Sequence, residues 1–163
     1  MSCNSPTADR FGIDKDLVLE FFCTFSRFEY ALKRGGFATP SRDSSVAVDS
    51  DRFGNKLKKL GSDECAPVLK ACEYLLRHPP KKQILREERL TWTDTGDPSI
   101  PDVNQVLIYV RRVRNNLFHG GKFPDASIEE VARNKQLIQD SLAVLNAVLG
   151  LPSVEKVARN FSS

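Results

Sequence analysis

The chain has 163 residues, 40% hydrophobic and 28% charged, which suits one compact domain and excludes both a disordered chain and two comfortable domains. Twenty-four Lys and Arg against 21 Asp and Glu leave a formal charge of +3, a mild bias that admits a nucleic-acid partner without requiring one. No stretch approaches the roughly 20 uninterrupted apolar residues of a membrane span, and the polar N-terminus lacks the apolar region of a secretory signal.

The elements follow from apolar spacing and punctuation. Residues 1–12 are expected to be flexible. Asp14 to Arg34 reads as the first helix, because Leu17, Phe21, Phe25, Phe28 and Leu32 recur at three- and four-residue intervals. Its phenylalanines are expected in the core, and Gly35-Gly36 provides a stop. Ala38 to Ser50, rich in Ser, Asp and Pro, reads as a loop. Asp51 to Leu60 is a short helix ended by Gly61, and Asp63 to His78 is a longer one. The latter carries Val68, Leu69, Cys72, Leu75 and Leu76 before the Pro79-Pro80 breaker. Residues 79–102 exceed a normal connector and read as an irregular functional flap or insertion, with turn chemistry at Thr95-Gly96-Asp97-Pro98.

From Asp102, Val103, Val106, Leu107, Val110, Val113 and Leu117 form a clean stripe that ends at Gly120-Gly121. Ser127 caps a long helix with Glu129 and Glu130 in its first turn and Ile128, Val131, Ile138, Leu142, Leu145 and Leu149 on its face. Pro152-Ser153 opens a short last helix to Phe161. No strand-like alternation of useful length interrupts this pattern, so the expectation is a single all-α domain over 1–163. It is an up-down bundle of four to five main helices plus short extra ones.

The four cysteines, Cys3, Cys23, Cys65 and Cys72, form no CxxC pair. Cys65 and Cys72, seven apart, share one helix face and suit buried small hydrophobes. With two histidines and no HExxH, no metal site is recognisable and no cofactor is expected. These absences read as a soluble, reduced, cytoplasmic protein.

The chemistry concentrates between Arg111 and Lys122. At about 100° per residue, Arg114 projects within roughly 40° of the middle of the apolar stripe. A guanidinium there needs an acid, because it cannot shed its proton. Glu29, on the margin of the Phe-rich first helix, is the best candidate partner. His119 falls at the helix end, where the last carbonyls favour imidazolium and a nearby guanidinium opposes it, a balance suited to titration near neutrality. Asn115, four residues earlier, shares its face. Arg111, Asn116 and Lys122 add groups able to bind an oxyanion, and the whole set suits a phosphodiester better than a sugar. His119 also has a plain reading as a helix C-cap, as has His78 before its prolines. Lys81, Lys82, Arg86 and Arg89, interrupted by Glu87 and Glu88, read first as a solvated surface and second as part of an RNA path. Trp92 offers either a core or interface anchor or a face for base stacking.

Arg114-Asn115-Asn116-Leu117-Phe118-His119 resembles the Arg-Asn-x-x-x-His signature of the HEPN superfamily of helical nucleotide- and RNA-binding domains. The string Phe21-Phe22-Cys23-Thr24-Phe25-Ser26-Arg27-Phe28-Glu29-Tyr30-Ala31-Leu32-Lys33 is similar to the opening helix of a plasmid- and prophage-associated branch. The two elements cover about a fifth of the chain. The resemblance implies a HEPN-like fold and a homodimer whose two motifs face one cleft. It also implies a metal-independent endoribonuclease leaving a 2′,3′-cyclic phosphate and a 5′-OH end. His119 would move the proton, Arg114 would stabilise the phosphate and Asn115 would orient. A neutralising protein partner belongs to some such systems. Members paired with a nucleotidyltransferase carry a Tyr two residues after the His; Gly121 stands there in this chain, so that regulation is not carried over. Members of the fold that bind RNA, nucleotide or protein without catalysis are the alternative.

Overall fold

A computed structural model describes residues 12–60, 62–94, 103–118 and 128–158. Six α-helices run in chain order: α1 (Lys15–Leu32), α2 (Ser50–Leu57), α3 (Ser62–Arg77), α4 (Val103–Phe118), α5 (Ile128–Leu149) and α6 (Pro152–Ala158). The caps explain several boundaries. Asp14 Oδ1 accepts from the Asp16 amide at 3.0 Å to start α1, and Asp49 Oδ1 accepts from the Arg52 amide at 3.0 Å to start α2. After α1 the backbone widens into a π-turn, Lys33–Phe37, where Gly36 takes φ +90°. That left-handed conformation is the physical content of the Gly-Gly stop.

The core is continuous. Phe21, Phe25, Phe28 and Leu32 from α1 join Val68, Cys72 and Leu75 from α3, the α4 stripe, and Leu137 to Leu149 of α5. α5 packs on both α1 and α3, while α4 packs on α2, α3 and α5. At the α2–α4 crossing a Cβ on buried Gly54 would overlap the Asn104 side chain, so the close approach requires glycine. Cys65 and Cys72 are buried, as their spacing predicts, while Cys23 is exposed. Burial pushes the Cys72 thiol up to about 12.

Two antiparallel hairpins correct the expectation of a chain without strands. The first, within the expected loop, pairs β1 (Ala38–Pro40) with β2 (Val46–Val48). The second lies in the expected flap and pairs β3 (Lys82–Arg86) with β4 (Arg89–Thr93), Leu85 opposite Leu90 and Gln83 opposite Trp92. Phe22, Leu69 and Ile128 are also corrections: all three are exposed rather than core. Phe22 and Leu69 follow directly after buried Phe21 and Val68, so each sits about 100° around its helix from the buried face. Ile128 is the first residue of α5. Gly61, residues 95–102, Gly120-Gly121, Ser127, Phe161 and residues 1–11 lie outside the described residues. No helix among those described is long and apolar enough to cross a membrane.

Candidate functional site

The last turns of α4 meet α1 along a diagonal of three α1 residues, Phe22, Phe25 and Glu29. Phe22 touches Phe118, their ring centroids 5.3 Å apart. One turn further on, the Arg114 guanidinium lies over the Phe25 ring at 5.0 Å. Its Nη2 is 3.9 Å from Glu29 Oε1, and the other Glu29 oxygen accepts from Lys33 Nζ at 3.2 Å. Phe25, Glu29 and Lys33 fall at four-residue intervals, so one face of α1 continued into its C-cap supplies the aromatic bed, the acid and a second cation. The Arg114 and Glu29 side chains are 32% and 29% exposed. Arg114 therefore sits at the rim of the core rather than within it, because its long stem carries the charged head to the edge.

Arg114 Nη1 donates to Asn115 Oδ1 at 2.8 Å. Asn115 is exposed, and it turns the site from the α1 contact towards the outer face of α4. There Ile108, Arg111, Arg112, Asn115 and Asn116, a stripe of three- and four-residue steps, form one wall of an open groove of about 420 Å³; Lys82 and Gln83 of β3 form the other. Among the described residues that line it there is no carboxylate. Sequence reasoning named Lys82 only within a run of cations and missed Gln83 and Arg112, since nothing local says that β3 returns to lie beside α4.

Three hydrogen bonds fix that return. Arg133 Nη2 donates to the Pro79 carbonyl at 3.0 Å, Arg112 Nη1 to the Pro80 carbonyl at 3.2 Å, and Asn116 Nδ2 to the Lys81 carbonyl at 2.9 Å. Pro79 and Pro80 have no N–H to offer, so at these two residues the backbone is held through its carbonyls. Asn116, a candidate ligand-binding residue, thus has a structural task. Partial burial lowers the Arg112 pKa while the Tyr109 hydroxyl below it opposes that shift, and its guanidinium lies 5.5 Å from the Tyr109 ring centroid. His78 stacks on Tyr74, its Nδ1 3.3 Å from the Tyr74 carbonyl, which is the capping geometry of a helix end.

The structure therefore brings together Arg114, Asn115 and Glu29, and places Arg111 and Asn116 on the adjoining groove. His119 and Lys122 lie outside the described residues. Among the described residues no group of three or more His, Cys, Asp or Glu is placed to hold a metal ion. No protein-family model, no curated protein and no solved structure matches the chain.

Proposed function

We propose that the chain is a HEPN-type endoribonuclease that cuts RNA in the cytoplasm without a metal ion. The observation that carries this reading is the placement of Arg114. It is held near the C-terminal end of α4 by Glu29 and by Asn115, and Asn115 also lines a groove whose walls carry cations, amides and Ile108. His119 follows Phe118, the last residue of α4, in the chain. A phosphate at this end would meet further N–H donors of the guanidinium, which fix it and stabilise the charge that develops on it. The ribose 2′-oxygen attacks phosphorus as His119 takes its proton, and the P–O5′ bond breaks as the leaving 5′-oxygen takes a proton from water. The products are a 2′,3′-cyclic phosphate and a 5′-OH end. Arg114 and His119 are the catalytic residues on this reading, with Asn115 orienting the guanidinium.

The exposed Phe22–Phe118 pair at the same end supports a homodimer that covers it, with two motifs facing one cleft. In a toxin or phage-defence setting a neutralising protein would cover this same face. The test is cleavage of single-stranded RNA in excess EDTA, with the ends identified chemically. Cyclic-phosphate ends are expected from the wild type, and none from His119→Ala, which keeps its fold and its dimer. RNA left intact by the wild type under every condition would remove the catalytic reading.

A second reading, an RNA- or nucleotide-binding domain of the same fold without turnover, draws on one observation. Arg114 is already engaged on three sides, by Phe25, Glu29 and Asn115. Arg114→Ala separates the two readings by kinetics rather than by stability. A loose, one-third-exposed pair is worth about 1 kcal/mol, against roughly 3–5 kcal/mol for a buried one. A variant that stays folded yet loses more than about a hundredfold in cleavage identifies a transition-state contact.

A further inference from the structure

We infer that the groove between β3 and the outer face of α4 is a nucleotide subsite that reads the base of single-stranded RNA beside the cut. This rests on the ribonuclease reading for its biological setting, though not for its chemistry. A space of about 420 Å³ is of the size of small-ligand sites and suits one nucleotide. Its lining sorts by chemistry into three kinds. Arg111 and Lys82 are cations whose side chains make no hydrogen bond or ion pair with another described residue, so both are available to a phosphate. Gln83 and Asn115 present amides, each a donor and an acceptor on one planar group, which is what the edge of an unpaired base requires. Ile108 supplies an apolar surface for the ring.

A double helix hides its base edges in stacked pairs, whereas an unpaired base can enter a groove of this width. Asn115 belongs to both sites. Its Oδ1 holds Arg114 at 2.8 Å, so a base that engages its amide lies one hydrogen bond from the proposed catalytic guanidinium. On the other side, Gln83 is cross-strand from Trp92, which shares its face of the hairpin and is 37% exposed.

Trp92 is the single tryptophan of the chain, so intrinsic fluorescence reports on this hairpin. The full chain is titrated with fully 2′-O-methylated decamers of A, C, G or U, which bind without being cut, and with the four nucleoside monophosphates. Saturable change in Trp92 emission is expected with the decamers. Arg111→Glu and, independently, Lys82→Glu should each weaken it by at least about tenfold. Lys135→Glu, on the exposed side of α5, should not. Gln83→Ala should alter the preference among the four decamers by about fivefold or more.

Decamers that bind with Trp92 emission and affinity indifferent to Arg111 and Lys82 would overturn the inference while leaving the ribonuclease reading intact. Polyphosphate competing as well as any decamer would also overturn it, since that requires no base. A monophosphate binding as tightly as its decamer would uphold the nucleotide site and overturn an RNA chain as its ligand. Groove-dependent binding together with unmodified RNA that is never cut would uphold the subsite and end the ribonuclease reading.

Discussion

The two hairpins are built from opposite principles. The first is satisfied by its own residues. Its tip is closed by Ser41 N–H to the Ser45 carbonyl at 2.7 Å, and Asp43 Oδ1 accepts from both Ser41 and Ser45 hydroxyls. Its base is closed by the Asp49 amide on the Phe37 carbonyl at 2.8 Å. The second hairpin is held from outside, by Arg133, Arg112 and Asn116 on the carbonyls that precede it. It presents Leu85, Leu90 and Trp92 to solvent. A self-closed turn positions nothing beyond itself. An arm clamped at its root by the helix that carries the motif keeps a fixed distance from it.

The largest way to break this contrast is to cut the clamp. Arg112→Ala removes a charged donor from the carbonyl of buried Pro80 and should cost about 1.5–3 kcal/mol in urea unfolding. Faster amide exchange should appear in β3 and β4 and not in β1 and β2. A smaller effect of opposite sign is expected at the tip of the second arm. Glu87 and Glu88 take φ of 49° and 62°, a left-handed pair that side chains resist. Replacing them by Asn-Gly should stabilise the protein by about 1 kcal/mol or more, seen as a raised midpoint.

The smallest effect belongs to Asp43. Hydrogen bonds from Ser41 and Ser45 hold its carboxyl well below the ordinary 3.8. Its contribution to folding is therefore complete above about pH 4 and is lost as the pH falls from there towards the folded value. NMR titration of the Ser45 amide should show this in the wild type and not in Asp43→Ala, and the other hairpin should not respond.

These contrasts explain what the sequence discloses. α1, α4 and α5 are long enough for several apolar turns, so the pattern survives, and α1 starts at its Asp14 cap while α5 carries Glu129 and Glu130 in its first turn. β1 and β2 are three residues each, too short for any alternation to register. In β3, Ile84 and Leu85 are adjacent and so fall on opposite faces, and cations stand on both sides of them. A hairpin that buries neither face fully has no reason to alternate. Its turn is Glu-Glu rather than Asn-Gly, which removes the usual signal. At the site, Arg114 is legible because helical geometry puts a permanent charge against apolar neighbours, and the Phe-rich helix offers one acid at its margin. The groove is not legible, because half of it comes from an arm whose return is fixed by carbonyls, and every residue has a carbonyl.

The bundle's grip on the second arm ends at Lys81, and beyond it the strands are paired chiefly with each other. Residue pairs added at the Glu87-Glu88 tip would lengthen the arm without disturbing a helix. The arm is thereby free to vary in length and sequence while the helices stay as they are. Grafting another hairpin onto the same root is the corresponding engineering route.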